Sequence, residues 1–134
     1  MGKAFIPLAG MRKVTQLSVQ AFLDGRLLKS SNTSAEGDTL KLYGNVIVKK
    51  VYPHGRDWCN GDWEISLCDW NTMSTRERLN GFLRLANIPL NIRTKNKKIY
   101  LKHWHYKTLY PIDANSYYNP LAIAMEIEME GEAD

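Results

Sequence analysis

The 134-residue sequence has only two cysteines, Cys59 and Cys68, and no apolar run near the roughly 20 residues that a membrane-spanning helix needs. Two thiols cannot form a disulfide framework, and no export signal begins the chain, so we expect both thiols to be reduced. The sequence therefore favours a cytoplasmic protein over a secreted or membrane protein.

Catalytic and metal-binding motifs are missing as well. His103 and His105 would share one face of a strand and could bind a metal with Asp113 or His54, but two histidines two residues apart are frequent by chance. Cys59 lies near His54 in one loop, yet nothing places a base within reach of the thiol or a third group to orient that base. We expect no enzymatic activity, no metal and no cofactor.

Acidic residues are scarce in most of the chain. The net charge is +4, from 18 Lys and Arg against 14 Asp and Glu. Five of these acids lie in residues 126–134, which contain no base, and only nine acids accompany the 18 bases elsewhere. We predict a single globular domain over 1–125 and an acidic tail over 126–134 that can compete with a polyanion for the basic body.

The clearest helix lies within residues 69–87. Ser74 and Glu77 have the spacing of a capping box, and Pro89 ends the helical pattern. The helix carries a single apolar stripe at i, i+3, i+4 and i+7. The stripe consists of Leu79, Phe82, Leu83 and Ala86.

Strand patterns flank this helix on both sides. Residues 39–51 predict one long strand, with Gly44 as a bulge or a close backbone approach, and residues 62–68 predict a second strand paired with it through a long loop. After the helix, two further strands surround a turn at 95–97. They contain Leu90 and Ile92, and Ile99 and Leu101.

The two ends of the chain complete the predicted fold. A short helix is expected over about 16–24, with Thr15 as N-cap and Gly25 at C′, followed by a polar loop over 29–38. Residues 103–120 look irregular, and the last segment alternates apolar and acidic residues as an edge strand would. We predict an α+β fold: a small, mostly antiparallel sheet in ββαββ order, one principal helix and a short N-terminal helix.

Basic and aromatic residues cluster in and after the second hairpin, and a few more share one face of the first strand. Lysines neutralise phosphates, and aromatic rings stack on unpaired bases, so we predict binding of nucleic acid, preferably single-stranded. The alternative is a solvated hairpin whose lysines protect an edge strand from aggregation. The predicted contacts are Lys41, Tyr43, Lys49, Arg93, Lys95, Lys97, Lys98, Tyr100, Lys102 and Trp104.

Five short blocks are distinctive: FLDGR at 22–26, Asn32–Thr33, LKLYGNVIV at 40–48, EISLCDWNT at 64–72 and STRERLNGF at 74–82. Together they resemble small uncharacterised proteins encoded by bacteriophages. The resemblance covers about residues 15–103. It implies a phage protein acting in the cytoplasm of an infected bacterium, and it implies no catalytic residues.

Two functional hypotheses remain open. The first is a non-enzymatic phage accessory protein that binds nucleic acid. The second is a phage factor that binds and inhibits a host enzyme or defence protein through the Trp58 loop or the acidic tail. We interpret Arg76, Arg78 and Arg84 as a solvated helix face, because no preceding helix completes a helix-turn-helix. The sequence leaves the oligomeric state open, although an exposed edge strand would permit a dimer.

Overall fold

Residues 6–51 and 62–131 are described by a computed structural model, and they form two antiparallel sheets and three helices. Within each sheet, neighbouring strands are consecutive along the chain, five in the first sheet and three in the second. The predicted α+β class is confirmed, but the order differs from ββαββ. The elements are α1 (Lys13–Leu23), β1 (Leu27–Lys29), β2 (Thr33–Glu36), β3 (Thr39–Leu42), β4 (Asn45–Lys50), β5 (Trp63–Ile65), α2 (Met73–Leu85), β6 (Leu90–Lys95), β7 (Lys98–His103), β8 (Leu109–Ile112) and α3 (Pro120–Glu130).

Helix α2 contacts both sheets, through β4 in the first and β6 in the second. Its residues Leu79, Phe82 and Leu83 are fully buried, as the spacing of the apolar stripe predicts. The ring of Phe82 meets Phe22 of α1 and Trp63 of β5 edge-on, with centroids 5.9 and 5.5 Å apart. Burying each such side chain stabilises the fold by roughly 1.5–3 kcal/mol. Because α2 packs against α1 and both sheets, it lies at the centre of the core.

The single strand predicted over 39–51 is instead a hairpin of β3 and β4. Tyr43 and Gly44 form its two-residue turn, with φ of 52° and 80°. This type I′ geometry matches the twist of the strands, and glycine adopts it without strain. The bulge expected at Gly44 lies further along β4. Leu40 pairs with Val48 and the next residue of β3 pairs with Val46, so Ile47 is the extra residue, and it is buried.

The polar loop predicted over 29–38 contains strand β2. Thr33 and Ala35 are buried, whereas Ser34 and Glu36 are not. Because these residues are small or polar, their alternation carries almost no hydropathy signal. Pairing with β1 on one side and β3 on the other holds the strand in place.

Helix α1 begins earlier than predicted, at Lys13. Thr15, predicted as its N-cap, is therefore a buried residue inside the helix, and its hydroxyl donates to Glu77 of α2. The prediction of Gly25 as the C′ residue is confirmed by its φ of 72°.

Helix α2 begins at Met73, with Thr72 as its N-cap. The Thr72 hydroxyl accepts from the backbone N–H of Thr75 at 3.2 Å. The predicted capping box of Ser74 and Glu77 is wrong, because Ser74 is already inside the helix and the Glu77 carboxylate binds side chains instead.

The second hairpin is confirmed. Strands β6 and β7 pair in register from Leu90 opposite His103 to Lys95 opposite Lys98. Asn96 and Lys97, with φ of 53° and 66°, form a type I′ turn between them. The segment over 103–120, predicted to be irregular, contributes β8 to the other edge of β7.

The C-terminal segment is a helix rather than the predicted edge strand. The Asn119 side chain caps α3 by accepting from the N–H of Ala122 at 3.0 Å, and Pro120 occupies the first helical position. Ile123 and Ile127 are buried one turn apart, so the acidic segment from 126 begins inside a docked helix. No helix in the described residues is long and apolar enough to span a bilayer.

Candidate functional site

The second sheet has a buried side and a strongly basic, solvent-facing side. Alternate residues of β6 and β7 are buried, which leaves the other residues on the opposite side. There the register places Arg93 opposite Tyr100 and Lys95 opposite Lys98, and Lys97 lies in the turn. We call these five residues the basic face.

The four cations of the basic face are all exposed, and within the described ranges none of them forms an ion pair. Like charges directly opposite each other, as at Lys95 and Lys98, destabilise a sheet. Lys102 differs, because its ammonium donates to the carbonyl of His103 at 2.7 Å and to that of Tyr106. The basic face therefore has charge that the fold itself does not use, whereas Lys102 holds the end of β7.

The remaining predicted contacts on β3 and β4 belong to the first sheet. Lys41 pairs with Glu36 at 2.9 Å, and the hydrogen bond from Lys41 lowers the pKa of Glu36. Lys49 pairs with Glu64 at 3.4 Å. Tyr43 is 71% exposed at the tip of the hairpin. The two lysines are thus partly neutralised, and an extension of the site onto this sheet stays a prediction.

Helix α2 lines a groove of about 680 Å³. Arg76, Asn80 and Arg84 line it at i, i+4 and i+8, a spacing that places all three on one side of the helix. Asn91 of β6 and Trp104, which is 37% exposed, line it from the second sheet and its end. We call these five residues the arginine groove. The interpretation of a plain solvated helix face overlooked it, although the spacing of Arg76 and Arg84 was a usable signal.

Two asparagines connect the arginine groove with the basic face. Asn91 alternates with Arg93 along β6 and lies opposite Lys102, so it shares the solvent-facing side of the sheet. The Asn80 amide accepts from the N–H of Ile92 at 2.6 Å and donates to its carbonyl at 3.3 Å. Because this amide satisfies both backbone groups of one β6 residue, it holds α2 beside the strand.

The charges that line the arginine groove are mainly positive. Arg84 donates to the carbonyl of Ala9 at 2.5 Å, and Arg76 donates to the Asn71 side chain at 2.5 Å. Neither arginine is paired with a carboxylate of the described chain. Glu77 also lines the groove, but its carboxylate is bound by buried groups of the core. An anion can therefore approach both arginines.

Arg78 contradicts the prediction that all three arginines of α2 are solvated. It is only 1% exposed. Its Nε donates to Thr33 at 3.1 Å, and its Nη1 donates to Thr15 at 3.1 Å and to Glu77. Arg78 therefore connects α1, α2 and β2 inside the core and is not a ligand-binding group.

His103 and His105 differ in burial, although their ring centroids lie only 5.9 Å apart, because His105 is exposed. His103 is buried, and its Nε2 lies 2.8 Å from a Glu128 carboxylate oxygen. Its Nδ1 accepts from the N–H of His105 at 3.1 Å, which leaves Nε2–H as the donor to Glu128. Asp113 is bound mainly by the Ser116 hydroxyl and backbone, which lower its pKa. The described part of the chain contains no group of three side chains that could hold a metal.

Three residues that the sequence offered as other candidates lie outside the described residues. They are His54, Cys59 and Trp58, and with them the loop proposed to contact a host protein. Cys68 is a free thiol whose Sγ lies 2.9 Å from the carbonyl of Val46.

Comparisons with known proteins match the chain to a protein family. No curated protein and no solved structure matches the chain. The model of a family described as Kyanoviridae Gp96 protein matches residues 11–123, a range that contains all five blocks noted in the sequence, the basic face and the arginine groove. The resemblance to small phage-encoded proteins is confirmed, and the chain belongs to the Kyanoviridae Gp96 protein family, a family of phage proteins.

Proposed function

We propose that this phage protein is a non-enzymatic accessory factor that binds single-stranded nucleic acid in the infected cell, through the basic face and the arginine groove. The observation that supports this best is the set of four exposed cations on the basic face without an acidic partner in the described residues. The opposed Lys95 and Lys98 are unfavourable for the sheet alone, and a bound phosphate offsets their repulsion.

The shape of the site favours a single strand over a duplex. Tyr100 and Trp104 are at least partly exposed beside the cations, and base stacking on such rings contributes roughly 1–3 kcal/mol per base when the bases are unpaired. Arg76 and Arg84 line a concave groove rather than a projecting helix ridge, so α2 is poorly placed to enter a major groove. A flexible strand can follow the basic face and enter the groove.

The test is a charge reversal on the basic face. We expect the double variant Lys97→Glu and Lys98→Glu to lose most of its affinity for a labelled single-stranded DNA or RNA, measured by fluorescence anisotropy. If both lysines contact phosphates, the slope of log affinity against log salt falls by about 1.4 in magnitude, because each phosphate contact on a single strand contributes about 0.7.

The matched control reverses the same number of charges elsewhere. Arg26 and Lys29 lie beside or within β1, on the first sheet, and both are exposed. Their double reversal to glutamate gives the same net charge but leaves the basic face intact, so it is expected to keep most of the affinity. Equal losses in the two variants would show that net charge alone drives binding, and an absence of wild-type binding at low salt would refute the proposed function.

A further inference from the structure

A second concave site lies beside the first turn of α2, on the side of the first sheet. It is a cavity of about 440 Å³ whose apolar wall includes the buried side chains of Leu42, Ile47 and Leu67. Tyr43 and Trp70 also line it, and they are 71% and 59% exposed. We call this site the aromatic cavity. Exposed rings that group beside an apolar pocket form the kind of patch that marks a ligand-binding groove.

Hydrogen bonds fix the position of Tyr43 at the cavity. Its N–H donates to the carbonyl of Asn32 at 2.7 Å, and the Asn32 amide donates to the Tyr43 hydroxyl at 3.3 Å. The side-chain Oδ1 of Asn32 accepts from the Thr33 hydroxyl at 2.8 Å, and that hydroxyl in turn accepts from buried Arg78. The Tyr43 hydroxyl is thus connected to the core through Asn32, Thr33 and Arg78.

Trp70 is positioned by a strained turn. Cys68 and Asp69 both have positive φ, 51° and 64°, and the N–H of Trp70 donates to the carbonyl of Leu67 at 2.8 Å. A non-glycine residue in this left-handed region costs of order 1–3 kcal/mol, and such residues concentrate at ligand sites. The fold tolerates this strain at the point where it places an indole ring beside the aromatic cavity.

The aromatic cavity also has polar groups without partners. Within the described residues, neither the Asn45 amide nor the Ser74 hydroxyl forms a hydrogen bond, and both line the cavity. An amide offers a donor and an acceptor, and a hydroxyl can act as either. A flat ring with hydrogen-bonding edges suits this combination better than a purely apolar ligand does.

The aromatic cavity adjoins the arginine groove at the first turn of α2, where neighbouring residues of the helix line the two sites. Met73, which is 79% exposed, lines the groove, and its neighbours Thr72 and Ser74 line the cavity. From Ser74 to Arg84 the helix rises about 15 Å, at about 1.5 Å per residue. A strand whose phosphates bind the arginines therefore reaches the cavity by crossing Met73.

We propose that the aromatic cavity receives an unpaired base of the strand bound in the arginine groove. Tyr43 and Trp70 stack on the base, and Asn45 and Ser74 bind its polar edge. This inference rests on the proposed function, because the arginine groove supplies the charge that brings a strand to the cavity.

The test compares two labelled strands of equal length, one of thymidine and one with the bases removed, by fluorescence anisotropy on the full chain. We expect Trp70→Ala and Tyr43→Ala each to lower affinity for the thymidine strand about tenfold. Affinity for the abasic strand and the salt slope should not change, because no phosphate contact is lost. Leu27→Ala, which alters an exposed apolar residue of β1, is the control and should change neither.

Ser74→Ala is a second variant that keeps the test independent of folding, since this hydroxyl has no partner to lose. It should weaken binding of the thymidine strand severalfold and leave the abasic strand unaffected. If all three cavity variants bind both strands as wild type does, the cavity is not a base site, while the proposed function stands. If they lose both strands equally, the inference also fails. If wild type binds neither strand, the proposed function fails and this inference with it.

Discussion

Replacing Arg78 with alanine is expected to lower the free energy of unfolding by about 3–5 kcal/mol, the usual cost of removing one partner of a buried ion pair. The guanidinium makes hydrogen bonds to Thr15, Thr33 and Glu77 while only 1% exposed. Hydrogen bonds to charged groups contribute roughly 1.5–3 kcal/mol each. The sum for three such bonds is larger than the expected loss of stability, because the three bonds share one guanidinium and their contributions are not additive. Helix propensity changes little, since arginine and alanine both favour helices.

Urea unfolding gives the free energy directly, from the midpoint and the slope of the transition. Arg76→Ala is the control, because Arg76 lies on the same helix but at the groove, and its loss should cost about 0.5 kcal/mol or less. The double variant Glu77→Gln with Arg78→Met should recover much of the loss, because it removes the unpaired carboxylate as well as the cation. A loss below about 1 kcal/mol for Arg78→Ala, or equal losses at the two arginines, would refute the structural role assigned to Arg78.

Two further predictions concern packing and ionisation. Gly81→Ala should destabilise the protein in the same assay, because a Cβ there would lie 2.3 Å from the methyl group of Thr15 in α1. An unchanged midpoint would contradict this packing. Partial burial, aided by the Cys68 thiol, raises the pKa of Tyr117 to about 12. Its contribution to stability is therefore complete below the unfolded value of about 10 and is lost as the pH rises through 12. An absorbance titration of tyrosinate should contain one high-pH transition that Tyr117→Phe removes. If the variant instead loses absorbance change near pH 10, the shift is contradicted.

The parts of the fold that could be predicted are those with strong local patterns. The stripe of Leu79, Phe82 and Leu83 has only one helical interpretation, and its burial follows from the spacing. The second hairpin is equally predictable, because Ile92 and Ile99 alternate with lysines and arginines on either side of a polar turn. The same alternation is enough to predict that Arg93, Lys95 and Lys98 share one side of the sheet.

The errors arose where a local pattern supported two structures. The last segment alternates apolar and acidic residues, but Ile123 and Ile127 are also one helical turn apart, and Asn119–Pro120 is a start signal that favours the helix. The first hairpin turns at Tyr43, which has a positive φ. Because tyrosine rarely adopts a positive φ, its presence in the sequence does not indicate a turn, and the pattern is also that of a continuous strand.

Other features depend on contacts distant in sequence, which no local pattern contains. Arg78 is buried partly by contacts with residues far away in the chain. Thr33, which accepts from its Nε, is 45 residues away in sequence. The arginine groove exists because Trp104 returns to the side of α2 that carries Arg76 and Arg84. The sequence alone identifies three arginines on α2. Only the tertiary structure shows that Arg78 is a buried structural residue, whereas Arg76 and Arg84 line the groove.

The fold also changes how the charge asymmetry of the chain can act. Glu128 of α3 approaches His103 from the buried side of the second sheet, while the cations of the basic face lie on the opposite side. With Ile123 and Ile127 buried, α3 cannot turn its acidic residues towards the basic face of its own chain without leaving the core. The helical part of the acidic segment therefore lies apart from the basic face, on the other side of the second sheet.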